Sequence, residues 1–303
     1  MSSPRIAGRL LALVIAGVTL LHTGCIEFDR QVMTYRVDTA EDALLIFQNY
    51  IGIYGADHED TISEQEIDQL RSVMETERTF FFANWIFELN VNELGKAAAS
   101  LGQDEAGTEK ERALFERARA AIGLLHDNLT VSNGPLYLDA AGRLCGTQKV
   151  RITQLTTVVR AINDGVRAML ERNLLIRQLD PVERSGIERA LANKSPFLAV
   201  EGNRITLRYP VSEQVFRRDF SPPENGGRRI RALREAGILL RHQDGELSAS
   251  VGRKEDRVTR IAMDTFAKPY RDNVLQHTQS ARIPVEPEYD VEKSMKTFLG
   301  ATR

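Results

Sequence analysis

The stretch "QVMTYRVDTAEDALLIFQNYIGIY", residues 31–54, decides the fold. Met33, Tyr35 and Val37 alternate with Thr34 and Arg36, a period of two that predicts a half-buried strand. "DTAED" gathers turn-forming residues, and "ALLIFQNYIGIY" is apolar enough for a second, more buried strand. Two adjacent strands joined by a short polar turn make an antiparallel hairpin.

Helices and further hairpins follow toward the C-terminus. Thr61 and Glu64 have capping-box spacing ahead of Ile67, Leu70, Val73 and Met74, which predicts an amphipathic helix. In "TFFFANWIFEL", Phe81, Ala83, Trp85, Phe87 and Leu89 share one face, and Phe80, Phe82 and Ile86 the other. That pattern predicts one central strand buried on both sides. Thr108 and Glu111 cap a charged helix whose inner side is Leu114, Phe115, Ala118, Ile122 and Leu125. A hairpin spans "DAAG" between "GPLYL" and "RLCGTQKVRI". Leu155, Val159, Ile162, Val166 and Met169 then mark the strongest helix, and Asp180-Pro181 opens another. Hairpins are expected around Gly202-Asn203 and around Asp244-Gly245. The fold class is α+β, antiparallel hairpins packed with amphipathic helices. The globular region is expected over 25–266, with a candidate subdomain boundary near 152–175. Residues 267–303, with "IPVEPEYD", are expected to form an extended C-terminal tail.

Toward the N-terminus, "RLLALVIAGVTLLHTGC" ends at Cys25. Arg5 and Arg9 precede twelve uncharged residues, Leu10 to Leu21, the length of a secretory core and short of the ~20 residues that span a bilayer. Small Thr23 and Gly24 stand before the cysteine. This resembles the lipobox of bacterial lipoproteins, with His22 where that family prefers Leu. The resemblance implies a signal peptide over 1–24, removed on maturation, and palmitate-type lipid on Cys25. Ile26 follows in place of the Asp linked to inner-membrane retention, so the expected location is the cell envelope, at the outer membrane. The later part also resembles uncharacterised bacterial envelope lipoproteins, on "YRVDTAEDALLIFQNYIGIYG" and "FFFANWIFELN". That likeness implies no activity.

The chain has 303 residues and a formal net charge of −2. Removing residues 1–24 takes away two arginines and no acid, so no global charge drives it to nucleic acid or anionic lipid. With Cys25 acylated, Cys145 has no partner and reads as a small buried strand residue. His58, His126, His242 and His277 show no metal-ligand spacing, and no nucleophile elbow or phosphate loop occurs. Asp57, Glu59, Thr61 and Asp68 mimic a calcium loop, but Ile62 stands where it needs Gly. No catalytic residue, metal or cofactor is assigned. Arg217, Arg218, Arg228, Arg229, Arg231 and Arg234 are candidate anion-binding residues. They sit in a helix, helix, hairpin order that is similar to a winged helix in element order alone. The expected function is a non-catalytic binding or structural role on the membrane. The partners are the membrane itself, through the lipid, and an envelope protein or polysaccharide, with no nucleic acid. The alternatives are an envelope hydrolase, or a winged-helix-like nucleic-acid binder whose N-terminus is no signal.

Overall fold

The computed structural model describes residues 26–55, 79–82, 87–90, 108–176, 179, 181–220, 228–264 and 283–300, with scattered positions between 64 and 71, at 95, 96 and 99, and at 276, 278 and 279. The stretch 31–54 forms the expected hairpin, β1 (Ile26–Asp38) and β2 (Ala43–Gly55), in register from Ile26↔Gly55 to Asp38↔Ala43. Asp38 shapes the turn by accepting from the backbone N–H groups of Ala40 and Glu41. Two backbone N–H groups that would otherwise be left to water are thereby satisfied locally.

At positions 64, 66–68, 70 and 71 the backbone is helical, and Ile67 and Leu70 are buried. Thr61 of the expected capping box lies outside the described residues. The apolar run after it corrects the expectation of a single central strand. β3 (Thr79–Phe82) and β4 (Phe87–Asn90) pair antiparallel with each other, Phe82 opposite Phe87, and neither joins the main sheet. Asn84, a turn former, sits inside the run, and period-two alternation cannot tell one long strand from two short ones.

The Thr108–Glu111 capping box is present and opens α1 (Glu109–Asn128), whose buried residues include Leu114, Phe115, Ala118, Ile122 and Leu125. β5 (Leu129–Leu138) starts at once, five residues earlier than "GPLYL" suggested, and returns as β6 (Leu144–Ile152). β6 pairs with β2. α2 (Leu155–Ile176) and α1 lie over this part of the sheet through Ile122, Leu125, Val131, Val150 and Val158. The candidate boundary near 152–175 falls within α2. α3 (Pro181–Ala192) packs on α2 through Val166, Leu170, Ile187 and Ala190.

Both later hairpins form as expected. β7 (Leu198–Glu201) pairs with β8 (Arg204–Pro210), and after α4 (Glu213–Phe220) and α5 (Arg228–Glu235), β9 (Leu239–Gln243) pairs with β10 (Glu246–Val251). Asp244 (φ 52°) and Gly245 (φ 76°) are both left-handed, as a two-residue type I′ turn requires. The four strands order as β7-β8-β10-β9. The chain then returns as β11 (Thr259–Asp264), antiparallel to β1, and β12 (Val285–Glu286), parallel to β5. The main sheet is thus β11-β1-β2-β6-β5-β12. A row of buried polar groups crosses it: Tyr50 donates to Gln148 (2.7 Å), Gln148 to Asn133 (2.7 Å), and Gln31 to Gln48. A one-residue slip would break that row, so it pins the register.

The extended-tail expectation is also corrected. Val291–Leu299 is a helix, α6, capped by Asp290, which accepts from the Lys293 N–H, and ended by Gly300. It docks on Leu45 and Phe47 through Met295, Phe298 and the fully buried Leu299. A nine-residue helix is marginal alone and is stabilised by docking. The same contact explains why β1, expected to be half-buried, buries Val32 and Thr34 as well as Met33 and Tyr35. Its second face borders the strand that α6 covers.

One buried core joins the two sheets. Met33, Tyr35 and Leu44 pack with Leu233 of α5, Ala236 in the turn after it, Leu240 of β9, and Ile261 and Met263 of β11. A polar latch sits at its rim. The Tyr35 hydroxyl donates to the carbonyl oxygens of Asn203 (2.8 Å) and Val251 (3.1 Å). Val37 N–H donates to Asn203 Oδ1 (2.8 Å), and Asn203 Nδ2 donates to Thr259 Oγ1 (2.7 Å). Burial pushes the Tyr35 phenol up to about 12, with the Thr259 hydroxyl opposing and the Asp256 charge adding. Because the folded value lies above the ordinary 10.0, this contribution to stability is complete below pH 10. It is lost as pH rises toward 12, since the unfolded phenol ionises first. Thermal midpoints measured from pH 9 to 12 should therefore fall, and less steeply in Tyr35→Phe. An unchanged slope in the variant would remove the latch from this account.

Candidate functional site

β1 fixes where the chain that follows Cys25 enters the fold. Cys25 lies outside the described residues, and the residue after it, Ile26, already pairs with Gly55. The turn at residues 139–143 lies at this end too, because Ile51 opposes Cys145. The latch on Tyr35 and Val37 holds the Gly202-Asn203 turn at the other end of the strand. At ~3.3 Å per residue, about 30 Å of β1 separates the two.

The structure describes the side chains of three of the six candidate arginines, Arg217, Arg231 and Arg234. Arg217 is neutralised by Glu213, with Nε to Oε1 at 2.7 Å. Arg231 and Arg234 stand exposed on α5. Arg218 belongs to α4, and Arg228 and Arg229 open α5, but their side chains lie outside the described residues. Helix, helix, hairpin is indeed the order of α4, α5 and β9–β10, while the buried side of α5 is committed to the shared core. Missed in the sequence were Arg204, Arg241, Arg253 and Arg257. They are exposed and, like Arg231 and Arg234, make no ion pair or side-chain hydrogen bond among the described residues. A count of acids along the chain was the only signal for them.

His242 is the best-placed titratable group, and it is a latch. Its Nδ1 meets Glu213 Oε2 at 2.9 Å, its Nε2 meets the Val211 carbonyl at 2.8 Å, and its ring stacks on Phe216 at 4.6 Å. Glu213 is held below the usual carboxylate range by the hydrogen bond from Arg217, with His242 adding. Both imidazole nitrogens are occupied, so the group ties α4 to β9 and has no free nitrogen to move a substrate proton. His126 meets its exposed neighbour Asp127 (3.0 Å). His58 and His277 lie outside the described residues.

Cys145 is fully buried in β6, beside the Arg143 carbonyl at 3.4 Å, and burial pushes its thiol up to about 11. A protonated, enclosed thiol is a poor nucleophile at neutral pH. Of the calcium-like residues, Asp57, Glu59 and Thr61 lie outside the described residues, and Asp68 pairs with Arg71 at 2.8 Å. Among the described residues no group of three or more His, Cys, Asp or Glu could hold a metal ion, and no helix is long and apolar enough to cross a membrane.

No protein-family model, curated protein or solved structure matches this chain.

Proposed function

We propose that this is a lipid-anchored protein of the cell envelope, at the outer membrane, with a non-catalytic binding or structural role. One observation supports it most: β1, an interior strand of the main sheet, starts at the residue next to Cys25. Lipid on that cysteine would be joined to the folded body without a linker, so the anchor would orient the whole protein. Each buried CH₂ contributes ~0.8 kcal/mol, and stable attachment takes more than one chain, as a diacylglyceryl-modified cysteine provides.

The test is Cys25→Ala in the producing cell. The unsubstituted protein should take up a palmitate analogue and fractionate with membranes. Cys25→Ala should lose the label entirely, and either remain a precursor longer by the 24 residues before the cysteine or be released. Absence of label in the unsubstituted protein, with identical fractionation of the two, would refute the anchor.

A further inference from the structure

We propose that the region built around the four-stranded sheet binds an anionic polysaccharide through its exposed arginines. The choice of polymer rests on the envelope reading; the affinity for polyanions rests on charge. Residues 26–154 contain 22 acids and 12 bases, whereas residues 181–264 contain 16 bases and 12 acids. The near-neutral whole hides two oppositely charged parts.

Pairing sharpens the contrast. In the acidic part, Arg30, Arg36, Arg117, Arg119, Arg143 and Arg151 each lie against a carboxylate. In the basic part, Arg204, Arg231, Arg234, Arg241, Arg253 and Arg257 are exposed and unpaired among the described residues. An unpaired guanidinium keeps its fork of donors available to a carboxylate or phosphate. With ~8 Å screening at physiological salt, acids beyond that distance do little to cancel the field of the exposed arginines. The guanidiniums are spread over α5, β9, the start of β8 and the loop after β10, and the hairpin tip carries Asp244 and Glu246. Duplex DNA would need bases along one groove-reading element; a flexible chain of carboxylated sugars can reach scattered ones.

The test uses the full lipidated protein in neutral detergent, with polygalacturonate as the probe. Binding is expected at 50 mM salt and should weaken at least tenfold by 200 mM. Changing Arg231, Arg234, Arg253 and Arg257 together to Gln should cost at least tenfold more, and the same four changed to Lys should retain most of the affinity. Arg30→Gln with Arg119→Gln, in the acidic part, should leave binding unchanged. No binding at 50 mM salt, an unaffected quadruple Gln variant, or tighter binding to duplex DNA of matched charge would overturn the proposal. A protein that binds the polymer but takes up no palmitate label would support this inference and refute the anchor. A labelled protein that ignores the polymer would do the reverse.

Discussion

Gly252→Ala should lower stability by about 3–5 kcal/mol. Two costs combine. Gly252 has φ +72°, a conformation that costs a residue with a Cβ roughly 1–2 kcal/mol. The new Cβ would also lie 2.7 Å from Thr259 Oγ1 and closer still to the Asn203 carbonyl oxygen and the Tyr35 hydroxyl, so the latch itself must move. Overpacking of this kind costs about 1–3 kcal/mol, and a displaced latch leaves buried donors unsatisfied. Gly142 supplies the control. It has φ +74° but nothing within 4 Å of its added Cβ, so Gly142→Ala should cost only the backbone part. Calorimetry of the two variants separates the costs, and equal melting temperatures would show that the latch yields without penalty.

Leu299→Ala should cost about 2–5 kcal/mol, the usual range for a leucine removed from a closed core. Leu299 is fully buried against Leu45 and Phe47 near the very end of the chain. Loss of its side chain should release α6, so limited proteolysis would cut within 291–300 while the sheet stays intact. Lys296→Ala, on the exposed side of the same helix, should change stability by no more than about 0.5 kcal/mol. If Leu299→Ala melts with the parent protein, α6 contributes nothing to the core it covers.

The elements read correctly from sequence are those whose signals are local. Alternation around Tyr35, the Thr108–Glu111 capping box and the Asp244-Gly245 turn each specify a structure within a few residues. The errors lie where distant partners decide. Nothing near Phe81 states whether its run stays whole or folds back. α6 did carry local marks, Asp290 before it, Gly300 after it, and Val291, Met295 and Phe298 between, but flanking prolines at 284 and 287 made the segment look extended. Asn203 was legible as a turn residue and illegible as a latch, because its amide bonds to residues far away in sequence. The same division runs through the candidate site. Cys25 is read from its sequence neighbours, whereas the exposed arginines are set apart by having no ion pair among the described residues, which depends on groups distant in sequence.

The return of β11 to the edge of the sheet sets the order in which this protein can assemble. β1 meets β2 as soon as both are made, but its other neighbour, β11, is synthesised more than two hundred residues later, when Asp264 reaches Arg30. Until then the first strand of the newborn chain is an open edge, able to pair with other chains. Closing so distant a contact is slow, because loop-closure entropy must be met before the pairing rewards it. Under the envelope location proposed above, that delay would favour passage across a membrane before folding: the N-terminal hairpin cannot be sealed into a finished sheet while the C-terminal third is still being made.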